Sequence, residues 1–176
     1  MSCGSSGTAA PTTPAPTSPR VLPLPRVIVL ETAGPPPSDT SVTFTAGTSR
    51  VIVLRHGPPE NIVFAQVSFA AAAFPDSGQS VTVEIRPRPG VYGLELTTTV
   101  PFSEGVTVEF DYARYFSAPA RALQVYSSTA AFEQALAVGR ILPNNQVELL
   151  PTTSGELDHA AAAIAGPGSY LVAAPL

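Results

Sequence analysis

Twenty prolines distributed over 176 residues set the first limit on what this chain can fold into. A proline inside a helix costs roughly 3 kcal/mol, and one inside a central strand removes a ladder hydrogen bond. Long helices are therefore excluded, and strands must be short, with prolines at their ends, edges and turns. The residues left between them are rich in valine, threonine, phenylalanine and tyrosine, which favour strands. Turn signals recur at Gly34-Pro35-Pro36-Pro37, Gly57-Pro58-Pro59, Pro75-Asp76-Ser77-Gly78, Pro87-Arg88-Pro89-Gly90, Pro143-Asn144-Asn145 and Gly166-Pro167-Gly168. Many short strands at this spacing predict an all-β fold, a β-sandwich of short antiparallel strands or a partly closed barrel.

Alternation locates the strands. Ser80-Val81-Thr82-Val83-Glu84-Ile85-Arg86 is the cleanest case, with Val81, Val83 and Ile85 inward and Thr82, Glu84 and Arg86 outward. Gly105 to Asp111 repeats the logic, as does Ser41 to Thr45 with Val42 and Phe44 inward. Arg50-Val51-Ile52-Val53-Leu54-Arg55 is a continuous apolar run, the pattern expected of a strand buried on both faces. Ile62 to Phe69, Ala122 to Tyr126, Gln146 to Leu149 and Ser169 to Ala173 complete the set with Val27 to Leu30. The prolines of Val21-Leu22-Pro23-Leu24-Pro25 confine that lead-in to an edge. Two segments read as short helices: Ala130 to Val138, and Glu156 to Ala165, which is rich in alanine.

The domain plan has two parts. Residues 1–20 form an arm, and residues 21–176 form the β domain, with lead-in strands over 21–60. Met1 to Pro19 contain no charged side chain and no large apolar one after Met1, so the free segment is expected to be disordered or polyproline-like. About 18 such residues would reach ~25 Å as a flexible coil and at most ~55 Å extended. Cys3 is the single cysteine, so no intramolecular disulfide or cysteine-based metal site can form. Cys3-Gly4-Ser5-Ser6-Gly7 resembles the mature start of a bacterial lipoprotein, in which a cysteine after a small residue is lipidated and a polar spacer follows. That resemblance makes Cys3 the lipid-anchor candidate, on the periplasmic or cell-surface side of a membrane, although no signal segment precedes it.

Charge removes other classes. Only 12% of residues are charged, the net charge is −4, and the nine basic residues are all arginine with no cluster among them. A nucleic-acid binder needs a basic footprint, which is missing. No apolar run approaches the ~20 residues of a membrane-spanning helix, so the body is expected to be soluble.

Residues from about Phe64 to Ala174 resemble the β-sandwich domain shared by ankyrins, zona-occludens proteins and netrin receptors, which bacteria also carry in exported proteins. Val67-Ser68-Phe69-Ala70-Ala71-Ala72-Ala73-Phe74-Pro75 is similar to that family's strand running into a small-residue stretch. Ser80 to Arg86 matches the strand that follows. Pro101-Phe102-Ser103-Glu104-Gly105-Val106-Thr107-Val108 is similar to its Phe-Ser-x-Pro-Val-x-Val segment, with Gly105 where proline is common. Leu123 to Tyr126 fits the strand before its hairpin, and Tyr170 to Ala173 the closing strand. Some relatives cleave themselves at a His-Phe-Ser near the end. Here His159-Ala160-Ala161 keeps only the histidine, and without a hydroxyl at Ala161 the resemblance implies no self-cleavage.

Catalytic motifs are otherwise missing: there is no G-x-S-x-G elbow, phosphate-binding loop or H-E-x-x-H. His56, before a Gly-Pro-Pro turn, reads as a loop residue, and His159 as a turn or packing residue. Glu109 and Asp111 share a strand face, with Glu84 a candidate neighbour; a solvated face accounts for them better than acid–base chemistry or calcium. No enzymatic role and no cofactor is expected.

Contact surfaces are the better candidates. Asp111 to Phe116 gathers aromatics and an arginine, and Arg114, Tyr115 and Phe116 are interface residue types. Arg86, Arg88 and Tyr92 surround a second turn. Val21, Leu22 and Leu24 of the lead-in could add to a partner's sheet. These features predict a non-catalytic, membrane-extrinsic structural subunit docking on protein partners in a larger envelope assembly, for example a photosynthetic reaction-centre or secretion complex. The alternative is a free-standing surface lipoprotein that binds a carbohydrate or protein ligand.

Overall fold

Strand pairing organises the residues described by this computed structural model, 18–154 and 158–176, into two antiparallel sheets. The elements in chain order are β1 (Arg20–Pro23), a 3₁₀ turn (Leu24–Arg26), β2 (Val27–Val29), β3 (Thr40–Thr45), β4 (Arg50–Arg55), β5 (Val63–Phe69), β6 (Ser80–Pro87), β7 (Gly93–Thr98) and β8 (Val106–Asp111). Then follow α1 (Ala120–Leu123), α2 (Thr129–Gln134), β9 (Ala137–Leu142), β10 (Gln146–Leu149), β11 (His159–Ile164) and β12 (Gly168–Pro175). The larger sheet runs β1-β10-β9-β12-β7-β6-β3, with β2 paired to β12 as well, and the smaller runs β11-β8-β5-β4. The fold is an all-β sandwich.

The main core lies between the sheets. Val81, Val83 and Ile85 of β6 face Val106, Val108 and Phe110 of β8 and Phe64, Val67 and Phe69 of β5 across a single buried cluster. Aromatic pairs knit it together, among them Phe69 and Phe74 stacked at 5.6 Å and Phe64 and Tyr92 stacked at 5.4 Å. Ile52 and Leu54 of β4 belong to the same cluster, so the lead-in strands are part of the sandwich.

A second cluster occupies the opposite face of the larger sheet: Val27, Ala137, Val147, Leu149, Leu171 and Ala173, with Leu22, Leu24, Val29 and Ile141 packed against it. Residues 20–29 enclose it. Their first half pairs with β10, Arg20 opposite Leu149 and Pro23 opposite Gln146, and their second half pairs with β12, Val27 opposite Pro175 and Val29 opposite Ala173. Because β9 lies between β10 and β12, this run closes the curled strands into a small barrel wall. Pro23 and Pro25 sit at the 3₁₀ turn, where the chain leaves one ladder for the other. Arg20, counted with the arm by composition, already belongs to β1.

Several expectations are corrected by this arrangement. Arg50–Arg55 is buried on one face only: Ile52 and Leu54 are inside while Val51 and Val53 are 53% and 42% exposed. The reason is its place as an edge strand of a sheet whose outer face is open. β12 is buried on both faces, with Tyr170, Val172 and Ala174 in the main core and Leu171 and Ala173 in the second, and β9 follows it with Val138 in the first and Ala137 in the second. Leu123 to Tyr126 is no strand, since α1 ends at Leu123 and turns follow. The alanine-rich segment expected to be helical contributes β11, paired with β8 along its length. Ala160, Ala162 and Ile164 are buried at period two, and that burial outweighs alanine's helix preference. Residues 156 and 157 of that expected helix lie outside the described residues, as do Cys3 and the arm through position 17. The other helical segment is α2, capped by the Ser128 hydroxyl, which accepts from the Ala131 N–H at 3.1 Å. It stops at Gln134, and Ala137 and Val138 start β9. Gly93–Thr98 forms β7, a strand the turn-bounded reading passes over although Leu94 and Leu96 alternate.

Among the described residues no helix is long and apolar enough to cross a membrane.

The second core makes a prediction at Gly139. A Cβ there would lie 2.6 Å from Val147 Cγ1 and 3.3 Å from Leu149 Cδ2. Gly139→Ala is expected to cost about 1–3 kcal/mol by overpacking, read as a lower urea midpoint at unchanged m-value.

Candidate functional site

Three loops meet at one end of the sandwich: the β2–β3 connection, the β4–β5 loop and the segment after β8. Arg114 Nε donates to Glu60 Oε2 and Arg114 Nη2 to Glu60 Oε1, both at 3.1 Å, a fork-to-fork pair across two loops. The Tyr115 hydroxyl donates to the same carboxylate at 3.1 Å. Asp111 opens its loop by accepting the Ala113 N–H at 3.3 Å, and Arg55 Nη1 donates to the Asn61 carbonyl at 3.1 Å on the other side. Asn61 turns with φ of 50°, a conformation asparagine tolerates better than most residues.

Beneath this clamp lies His56, only 1% exposed. His56 lies in a loop, as its place before the Gly-Pro-Pro turn predicts, but its side chain points inward. Its ring meets Tyr115 at 4.8 Å and Phe64 at 5.2 Å, both edge-to-face, and Tyr92 at 6.2 Å. Nδ1 faces the Pro35 carbonyl at 2.9 Å, and since a carbonyl only accepts, Nδ1 carries the proton. Nε2 has no hydrogen-bond partner among the described residues, and neither has the Tyr92 hydroxyl. Gly34 is required by close approach here: a Cβ would stand 2.6 Å from the Tyr115 ring and 2.8 Å from His56 Cε1.

Electrostatics follow the geometry. The hydrogen bonds from Arg114 and then Tyr115 hold the Glu60 carboxyl below its usual range. Arg114 is raised by the same bond. Tyr115 is raised by loss of solvent and by donating to a carboxylate. Burial pushes the Tyr92 phenol up to about 12. Glu133 behaves oppositely to Glu60: burial and then the like charge of Asp158 raise its carboxyl.

The sequence-predicted residues scatter. Arg114 and Tyr115 sit together in the clamp, with Arg114 largely exposed. Phe116 is half-buried, tilted on Tyr112 at 5.6 Å and stacked on Phe132 at 6.4 Å, and closes the sandwich end. Tyr92 is fully buried and offers no contact surface. Arg86 pairs with Glu84 at 3.4 Å and lines a shallow depression of about 230 Å³ with Asp39, Thr40 and Ser41. Arg88 is exposed, and its Cδ lies over Gly93. Leu22 and Leu24 pack on the chain's own second core, so the lead-in is used internally; Val21 alone is open, at 49%. Glu109 and Asp111 belong to β8 in the smaller sheet while Glu84 belongs to β6 in the larger, so the three do not converge. Among the described residues no group of three or more His, Cys, Asp or Glu is placed to hold a metal ion. The five tyrosines and eight phenylalanines are all described, and each is buried or half-buried. Sequence reasoning missed Glu60 and the depth of His56; nothing in the local pattern marks either.

The two glutamates predict opposite pH responses. Glu60 has a lowered folded value, so its stabilisation is present above the ordinary value of 4.5 and is lost as pH falls through the lowered one. Wild-type protein is expected to exceed Glu60→Gln in melting temperature at pH 7, with the gap closing in acid. Glu133, with a raised folded value, stabilises below 4.5 and loses that contribution as pH rises through the raised value. Glu133→Gln is therefore expected to gain on wild type toward neutral pH in the same melts.

Comparison with protein-family models, with curated proteins and with solved structures found no match to this chain.

Proposed function

We propose that the chain is a non-catalytic docking subunit that binds protein partners through the clamped loop end of its sandwich. One observation carries this reading: the Glu60–Arg114–Tyr115 clamp, which fixes two loops from different parts of the chain into one preset surface. Surface ion pairs add little stability, typically ~0–1 kcal/mol. A bidentate pair that also captures a tyrosine hydroxyl is better explained as preorganisation, since loops already ordered in the bound shape lose less entropy on docking. The guanidinium edge and the half-exposed ring are residue types favoured at contact centres.

The arm extends the proposal. Cys3 acylated at the far end of a Pro/Thr/Ser spacer would hold the domain within tens of ångströms of a membrane, so its partners would belong to an envelope complex. The resemblance to the exported ankyrin-type sandwich fits the same setting.

The test is a mild-detergent pull-down of the native protein from membranes with the intact mass of its N-terminus measured. Expected are partners at fixed stoichiometry, an acylated Cys3, loss of those partners in Arg114→Glu, and release of the chain from membranes in Cys3→Ser. An unmodified chain that comes down alone would overturn both the tether and the docking role.

A further inference from the structure

The β4 edge carries a second inference that does not depend on the clamp. Among the described residues, β4 ends the smaller sheet and has β5 on one side only. About half of its six residues therefore point backbone N–H and C=O groups away from the sheet. Natural edges are usually shortened, covered or protected by inward charges and prolines. Here the centre of the edge is Val51-Ile52-Val53-Leu54, with two valines half-exposed on the outer face. No proline interrupts it, and the register shift lies at its end, between Leu54 and Arg55.

Charge identifies what would pair with it. Arg50 and Arg55 bracket the four apolar residues, and neither β4, nor β5, nor the turn 46–49 carries an acidic side chain. Glu60, in the loop that follows, is already taken by Arg114. A chain of net charge −4 thus presents a purely cationic, apolar-centred strand edge. The outer face beside Val51 is low, with Ser68, Thr107 and Ala163 in register, while Val53 stands opposite Gln66, with Glu109 one strand further in. An added strand would lie on the other side of β4 from all of these.

We infer that β4 accepts an extended segment of another protein as a fifth strand, antiparallel, with carboxylates at its two ends and apolar side chains opposite Val51 and Val53. Backbone hydrogen bonds supply the pairing, the two valines supply the apolar contact on alternate positions, and Arg50 and Arg55 set the register by meeting the carboxylates. A second copy of this chain fits less well. Pairing β4 end to end with itself sets Arg50 against Arg55 and brings inner-face residues opposite outer-face ones, and the one-residue shift that matches the faces leaves both arginines without a carboxylate.

The probe is the capped peptide Glu-Thr-Val-Thr-Val-Glu, titrated into the full chain with backbone amide shifts followed by NMR. Expected are saturable shifts concentrated in residues 50–55, and binding about tenfold weaker for Lys-Thr-Val-Thr-Val-Lys, whose two attractive pairs become repulsive. Arg50→Glu, an exposed change, is expected to narrow that preference without altering the unliganded spectrum elsewhere. No binding at millimolar peptide, equal binding of both peptides, or shifts centred on another face would each overturn the inference. Concentration-dependent shifts of β4 without peptide would also overturn it, by assigning the edge to a second copy. The Arg114→Glu pull-down reads the clamp alone, so failure of one proposal leaves the other standing.

Discussion

Burial of β12 on both faces is the constraint from which the architecture follows. A strand of a sandwich normally gives one face to the core and the other to water. β12 gives both faces to apolar partners: Tyr170 and Val172 look toward the smaller sheet, Leu171 and Ala173 toward the curl of residues 20–29. Its Gly168–Leu171 half pairs with β7, its Ala173–Pro175 half pairs with β2, and its other edge pairs with β9. One strand thus nucleates two packed layers. With so few charged residues to cover a surface, enclosing a second cluster also removes apolar area that would otherwise be exposed.

Period-two alternation made the strands with one wet face legible. Ser80 to Arg86 and Gly105 to Asp111 fold almost as their patterns require, becoming β6 and β8. Alternation fails where both faces are dry, because a doubly buried strand shows no contrast between its faces. The doubly buried Tyr170 to Ala174 region therefore carries no face signal, whereas Arg50–Arg55, just as apolar, lies at an edge with one face open. It fails again for alanine, which is small enough to line a strand and favourable enough to mark a helix; pairing with β8 decides in favour of the strand. The loop site was half legible. Arg114 and Tyr115 stand out in composition, whereas their partner Glu60 lies 54 residues from Arg114 and is joined to it only by the tertiary fold.

The loop end shows how an irregular surface can be held in one shape. A buried imidazole, a glycine forced by two rings, and a carboxylate shared between a guanidinium and a phenol leave little freedom to the residues above them. Among the described residues, His56 Nε2 and the Tyr92 hydroxyl are buried there without a hydrogen-bond partner.

The closure by residues 20–29 has a mechanical consequence. The arm joins the domain at Arg20, the first residue of a strand laddered to β10 and continued, through the 3₁₀ turn, by one laddered to β12. Tension drawn along the arm therefore loads these ladders in shear, with their hydrogen bonds sharing the force, instead of peeling a free end one bond at a time. Force entering at Arg20 is thus taken up first by the ladders with β10 and β12 before it passes into the rest of the sandwich.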